Sequence, residues 1–138
     1  MKKNTIIRFL GGLGLTGLVL ITGCEKKQTS SQGFLEGVIS IGPICPVERI
    51  PPDPACQPTA ETYKAYPVSI YTSDGSKLIA QLKPSLDGSY FSELPTGNYL
   101  VVLEKRQNNI GGSNLPSEIS INADNTTIFN INIDTGIR

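Results

Sequence analysis

The segment Ser85–Lys105 limits the folds open to this chain more than any other part, because it encloses a short stretch between two turn signals. Asp87 and Gly88 are typical of a tight turn that needs positive φ angles. Pro95 presets φ at the second position of the next turn, and Gly97 takes the fourth position, as in a type I turn. The sequence therefore predicts a β-hairpin here.

Alternation of apolar and polar residues predicts short strands along most of the chain. After the second turn, Tyr99, Val101 and Leu103 lie on one apolar face. The predicted strands cover residues 34–41, 66–72, 77–83, 89–94, 99–104, 117–122 and 126–134. Because no helical period longer than two turns appears beyond the N-terminal segment, we expect an all-β domain, a seven-stranded antiparallel Greek-key β-sandwich.

The N-terminal segment has the pattern of an export signal. Basic residues precede the apolar run Phe9–Ile21, which is shorter than the about 20 residues of a membrane-spanning helix. The sequence Leu20–Cys24 resembles the lipobox of bacterial lipoproteins. That resemblance implies cleavage between Gly23 and Cys24 and transfer of a diacylglyceryl group to the Cys24 thiol. The alternative is an ordinary signal peptide or short signal anchor with a chance cysteine.

These signals divide the chain into three parts. We expect residues 1–23 to be a lipoprotein signal peptide, residues 24–32 a flexible tether, and residues 33–138 the β-sandwich domain. The mature protein is expected at the cell membrane or outer membrane, held by its lipid and facing the periplasm or the exterior.

The charge of the mature chain argues against nucleic acid as a partner. Lys2, Lys3 and Arg8 leave with the signal, so nine of the twelve basic residues remain against all twelve acidic ones, a formal net charge of −3. Such a chain has no basic patch to neutralise phosphates.

With Cys24 assigned to lipid, Cys45 and Cys56 remain as a pair in an oxidising compartment. Prolines between them restrict the connecting chain, and we expect a disulfide. A zinc site is the weaker alternative, because the chain has no histidine and two cysteines do not complete a structural zinc site.

The cysteine pair lies in a proline-rich segment, residues 42–65, which has no strand periodicity. We expect an ordered surface loop. Tyr63 and Tyr66 are candidates for an aromatic binding surface for a glycan or a proline-rich peptide. Packing of this loop onto the sandwich is the alternative.

Two motifs resemble a known domain family. The sequences Asp87–Phe91 and Leu94–Val101 resemble the signature of carboxypeptidase-regulatory-like, transthyretin-like domains. The resemblance implies a transthyretin-like sandwich. Within it, the segments Ile41–Glu48, Pro51–Cys56 and Asp134–Arg138 are similar to a group of uncharacterised bacterial lipoproteins. Independently of the family, we expect Tyr99 to cover the corner at Pro95 and to hydrogen-bond the backbone there, as in a tyrosine corner.

Several activities found in related sandwiches do not fit this chain. Transthyretin-related hydroxyisourate hydrolases use histidine, which is missing here, and the isopeptide bond of collagen-adhesin-type pilins needs a lysine that residues 34–41 lack. Without histidine, the usual general bases are also missing. We therefore expect no catalytic residues and no cofactor.

Asp74, Asp87 and Asp124 lie at predicted turns, where aspartate bonds its own backbone. The alternative is a Ca²⁺ site, if these turns converge. The function expected is a non-catalytic interaction or structural module of the cell envelope, with an envelope protein or glycan as partner. A carbohydrate- or peptide-binding module is the alternative, and an enzyme is the third hypothesis.

Overall fold

The computed structural model describes residues 30–47, 49–105 and 111–138. Its strands, in chain order, are β1 (Gln32–Gly42), β2 (Val68–Thr72), β3 (Leu78–Gln81), β4 (Ser89–Pro95), β5 (Gly97–Leu103), β6 (Ser117–Ile121), β7 (Thr126–Ile128) and β8 (Ile131–Asp134). A short 3₁₀ helix (Pro54–Cys56) and one α-helix, α1 (Ala60–Ala65), lie between β1 and β2.

Several predictions fall outside the described residues. They are the signal segment 1–23 with Gly23, the lipidated Cys24, and most of the predicted tether. Within the residues that the structure describes, no helix combines the length and apolar character needed to cross a membrane.

Two four-stranded sheets make up the fold. One has the order β4-β1-β7, with β8 also paired to β1, and the other has the order β3-β2-β5-β6. The prediction of an all-β sandwich is confirmed, but eight strands replace the predicted seven. The sheets are not wholly antiparallel, because β7 and β8 both run parallel to β1.

The core lies between the two sheets and is built from one face of each. The alternating residues of β1, among them Leu35 and Ile39, meet Ile70 of β2 and Val101 of β5. These side chains are almost fully buried, so the period of two in the sequence does mark the faces that pack.

The predicted strand 126–134 is divided at Phe129 and Asn130. The Asn130 side-chain Oδ1 accepts from the Val38 backbone N at 3.0 Å, where a continuous strand would offer a carbonyl oxygen. The Phe129 carbonyl instead turns toward Gly37, where an added Cβ would lie 2.1 Å from its oxygen. A side-chain hydrogen bond and a glycine therefore separate β7 from β8, which explains the extra strand.

The predicted hairpin at the centre of the chain is wrong. β4 pairs with β1 in one sheet, whereas β5 pairs with β2 and β6 in the other. The turn Pro95–Gly97 thus carries the chain from one sheet to the other. Tyr99 covers this corner, and its hydroxyl donates to the Pro95 carbonyl oxygen at 2.6 Å, which is the tyrosine-corner contact expected from the sequence.

The turn before β4 has the aspartate chemistry that the sequence indicates. The Gly88 N donates to the Ser85 carbonyl oxygen at 2.9 Å, and the Asp87 carboxylate accepts from the Ser89 N at 3.0 Å. Only Gly88 of the predicted pair has a positive φ, 84°. This turn delivers the chain to β4.

Tyr90 links the chain between β7 and β8 to the core, and it makes the free energy of unfolding depend on pH in the alkaline range. Its ring is buried and its hydroxyl donates to the Phe129 carbonyl oxygen. Burial raises the pKa of Tyr90 to about 12. A raised pKa means that the folded state resists ionisation, so this contribution is complete below pH 10 and is lost as the pH rises toward 12.

We expect Tyr90→Phe to lower the free energy of unfolding by about 1 kcal/mol at neutral pH, because the Phe129 carbonyl loses its donor. The gap between wild type and variant should narrow above about pH 10, since the variant has no phenol to ionise there. Urea unfolding at a series of pH values measures both effects. If the free energies of unfolding of the wild type and the variant kept a constant difference up to the highest pH, the raised pKa of Tyr90 would be contradicted.

Candidate binding surface

The candidate surface is built on the connection between β1 and β2. Cys45 and Cys56 are joined by a disulfide, with their Cα atoms 5.4 Å apart, which confirms the predicted bridge. The prediction that residues 42–65 form a loop alone is wrong, because the segment contains a 3₁₀ helix and α1. Proline-rich composition hid both elements, since each is about two turns or shorter.

Local capping explains why these short helices form. The Asp53 carboxylate accepts from the Ala55 N at 2.9 Å at the start of the 3₁₀ helix. At the start of α1, the Thr59 hydroxyl accepts from the Thr62 N, and the Thr62 hydroxyl accepts from the Thr59 N. These reciprocal bonds satisfy backbone donors that a six-residue helix leaves open.

The C-terminal residues hold the base of this segment. Thr135 is buried, its N donates to the Gly42 carbonyl oxygen at 3.1 Å, and its hydroxyl donates to the Pro43 carbonyl oxygen at 2.5 Å. The Arg138 guanidinium contacts the Asp134 carboxylate at 2.8 Å and holds the pKa of that carboxyl at about 2. The connection between β1 and β2, which we call the stapled segment (residues 43–67), is therefore fixed at its base as well as by its disulfide.

The two tyrosines predicted as a binding surface differ in their surroundings. Tyr66 belongs to the core with 6% of its surface exposed, so its prediction as a binding residue is wrong. Tyr63 is half-buried, and its pKa is raised by burial and by the nearby Asp87 charge. The two tyrosines lie on one short segment, but Tyr63 is partly exposed whereas Tyr66 is buried.

Tyr63 lines a groove of about 530 Å³ between α1 and the chain that follows β3. Its lining residues are Ala60, Tyr63, Lys64, Pro67, Gln81, Leu82, Lys83, Pro84, Ser85 and Leu86. Leu86 is 72% exposed at the edge of the groove. The groove thus combines apolar surface, one phenol and two lysines, a set suited to binding and not to proton transfer by carboxylates.

The far wall of this groove, residues 81–86, was not predicted from the sequence. Nothing local marks that wall, because it meets α1 only through the tertiary fold. The apolar residue Leu86, which lies between Ser85 and Asp87 in a turn-like segment, is the one signal that the sequence offered.

The turn aspartates do not form a cation site. Asp74 and Asp124 lie at one end of the sandwich, whereas Asp87 lies at the other end beside Tyr63. The Asp74 carboxylate accepts hydrogen bonds from Thr72 and Ser76, which lower its pKa to about 2. In the described ranges, no three His, Cys, Asp or Glu residues come together as metal ligands.

We expect Cys45→Ala/Cys56→Ala to leave the sandwich folded but to lower the free energy of unfolding by about 2 to 3 kcal/mol, because the opened segment regains chain entropy. Thermal melting of oxidised wild type, reduced wild type and the double variant measures this. Reduced wild type and the double variant should melt together. A double variant that melts with the oxidised protein would show that the bridge adds nothing to stability.

The comparisons with known proteins agree with the fold. No protein-family model and no curated protein matches the chain. The minor pilin GBS52 of Streptococcus agalactiae is similar with a TM-score of 0.50 and 14% identity, over 75% of this chain and 44% of the pilin. This likeness supports the β-sandwich and is too distant to carry function.

Two further solved structures show weaker likeness. A DUF3823 family protein from Parabacteroides merdae has a TM-score of 0.45 and 15% identity, over 75% of this chain and 46% of that protein. The TIE protein of Bacillus anthracis has a TM-score of 0.46 and 13% identity, over 75% of this chain and 16% of that protein. The chain spans less than half the length of each of the three proteins.

Proposed function

We propose that this protein is a lipid-anchored, extracytoplasmic β-sandwich that presents an interaction surface and catalyses no reaction. The observation that carries the proposal is the disulfide across the β1–β2 connection, because such bonds persist in oxidising compartments outside the cytoplasm. The bridge, the capped helices and the buried Thr135 together fix a surface segment that contributes little to the core.

The anchor part of the proposal rests on the sequence around Cys24. The signal-like segment 1–23 ends at a small residue before that cysteine, and the chain from Glu25 to about Ser30 has no apolar residue to bury. Ser31 is held to the sandwich, because its carbonyl oxygen accepts from the Thr96 N at 2.9 Å. A cell-membrane or outer-membrane location follows from this anchor.

We further propose that the domain belongs to the carboxypeptidase-regulatory-like, transthyretin-like class of β-sandwiches, which has a Greek-key topology. The support is the pair of motifs around Gly88 and Tyr99, both of which make the turn and corner contacts that such motifs serve. A structural module of this kind needs a surface, not a reaction centre.

A second candidate function is a carbohydrate- or peptide-binding module. The groove beside Tyr63 favours it, because an aromatic ring next to apolar surface suits both ligand classes. Lys83 at the groove would favour acidic members of either class, whereas Lys64 already pairs with Glu61 at 2.7 Å. Binding of acidic oligosaccharides that is lost in Tyr63→Ala would promote this candidate over the first.

Mass spectrometry of the mature protein from cells tests the main proposal. We expect an N-terminal peptide that begins at Cys24 and carries a diacylglyceryl group, together with a linked peptide that joins Cys45 to Cys56. An unmodified N-terminus, or two free thiols in protein prepared without reductant, would overturn the proposal.

A further inference from the structure

The strand β4 forms an open edge of its sheet, and it is the most regular edge in the described structure. It pairs with β1 in antiparallel register from Gln32↔Pro95 to Val38↔Ser89 with no shift. β4 has seven residues, and its single proline is the last of them. Edge strands of this kind are open to pairing with another chain unless something blocks them.

The other edges are shorter or blocked. β3 has four residues, a register shift beside Ile70, and lysines on both sides, Lys77 and Lys83. β7 and β8 are interrupted at Asn130, and Ser113 bridges to Ile133 along β8. On β6, the Ser120 carbonyl oxygen already accepts from the Thr127 hydroxyl at 2.9 Å. Short strands, lysines and covered backbone are the usual protections of an edge. On β4, among the described residues, the backbone is covered only at Ser89, whose N donates to the Asp87 carboxylate at 3.0 Å and whose carbonyl oxygen accepts from the Ser85 N at 2.8 Å.

The free backbone groups of β4 can be assigned from the hydrogen bonds of β1. The Phe34 N donates to the Asn125 carbonyl oxygen and the Glu36 carbonyl oxygen accepts from the Phe129 N, both on the side of β1 that faces away from β4. Phe91 and Glu93, which stand opposite these residues, therefore form non-hydrogen-bonded pairs with β1. Their own N–H and C=O groups point to the open edge.

The side chains of the same residues form an apolar and acidic surface. Phe91 is 63% exposed and stacks on Phe34 with ring centroids 5.7 Å apart. Glu36 lies between Phe91 and the exposed Ile128 in the register, and Glu93 lies beside Phe34. Neither carboxylate forms an ion pair among the described residues. This outer face of the sheet combines aromatic surface with two uncompensated negative charges.

We propose that β4 binds an extended segment of a partner protein as an added strand, and that this segment alternates apolar residues with lysine or arginine. The backbone of Phe91 and Glu93 supplies the hydrogen bonds, the Phe34–Phe91 pair receives an apolar side chain, and Glu36 and Glu93 select cationic ones. A second copy of the chain fits less well, because two paired β4 strands would place four carboxylates on one continuous sheet face without a cation.

The inference goes beyond the proposed function, since it assigns a surface separate from the stapled segment and names the partner's chemistry. The probe is a capped seven-residue peptide of alternating lysine and valine, tested on the full mature protein in a neutral detergent. We expect binding, with new protection of the Phe91 and Glu93 amides from hydrogen exchange by NMR. A glutamate–valine peptide should not bind.

Charge reversal sharpens the test. Glu93→Lys should weaken the lysine–valine peptide about tenfold and should allow the glutamate–valine peptide to bind. The matched control is Leu78→Ser, on the outer face of the other sheet at a residue that is 54% exposed, and it should leave both results unchanged.

Three results would overturn the inference. They are equal binding of both peptides, binding without protection of the two amides, and a concentration-dependent dimer that protects these amides in the absence of peptide. Because none of them bears on the lipid at Cys24, failure here is distinct from failure of the proposed function.

Discussion

Replacing Cys24 with serine is expected to move the protein completely from the membrane fraction to the soluble extracytoplasmic fraction. Each buried lipid CH₂ contributes about 0.8 kcal/mol, so several acyl chains hold a protein essentially irreversibly. The apolar run that precedes Cys24 is shorter than a membrane-spanning helix, so we expect that it does not replace the acyl chains as an anchor. Fractionation after a high-salt wash, with mass analysis of the N-terminal peptide, measures the change.

The lysines next to Cys24 provide the matched control. Lys26 and Lys27 lie beside the headgroups in the proposed arrangement, where each contributes about 1 kcal/mol at an anionic surface. Lys26→Gln/Lys27→Gln should therefore remain in the membrane fraction, because the acyl chains outweigh both charges. A Cys24→Ser protein that lacks lipid and still resists the high-salt wash would show that something other than the acyl chains holds it.

Residue alternation predicted which segments are strands, but it left their partners open. The strands β4 and β5 each have one apolar face. That pattern is the same whether two consecutive strands pair within one sheet or pack against each other in two sheets. The corner at Pro95 decides between them through tertiary contacts, including the bond from the Thr96 N to the Ser31 carbonyl oxygen. Those contacts join residues far apart in the sequence, so local patterns did not reveal them.

The division of the last strand has the same kind of cause. Ile131 and Ile133 continue the alternation of Phe129, so the sequence shows one strand. The break depends on Asn130 bonding the Val38 N across the sheet and on the space that Gly37 provides. An asparagine within an apolar alternation was the available signal, but its partner became clear only in three dimensions.

Of the candidate site, the disulfide could be predicted from the sequence, whereas the burial of individual side chains could not. Counting the cysteines that remain once Cys24 is assigned to lipid was enough to predict the pairing of Cys45 with Cys56. Tyr63 and Tyr66 differ in burial, because the chain at the end of α1 places the Tyr66 ring in the core. This difference could not be predicted from a local sequence pattern of three residues. The open edge of β4 was also hidden, since the position of a strand in a sheet is a property of topology.

Gly88→Ala is expected to be the most destabilising small substitution in the turn before β4. Gly88 has a φ of 84°, and an added Cβ would lie 2.4 Å from the Ile39 carbonyl oxygen. The two strands cannot separate to make room without weakening the bond from the Ile39 N to the Gly88 carbonyl oxygen, which is 2.8 Å long. Backbone strain and this close approach together should lower the free energy of unfolding by about 3 to 4 kcal/mol.

Gly97→Ala is the matched control for that prediction, because it separates backbone strain from steric contact. Gly97 has a φ of 155°, but a Cβ there would meet nothing closer than the Tyr99 ring at 3.9 Å, so the crowding is missing. The loss should be about 1 to 2 kcal/mol, from strain alone. Urea unfolding of both variants measures the difference, and equal losses would show that the Ile39 backbone yields to the new methyl group.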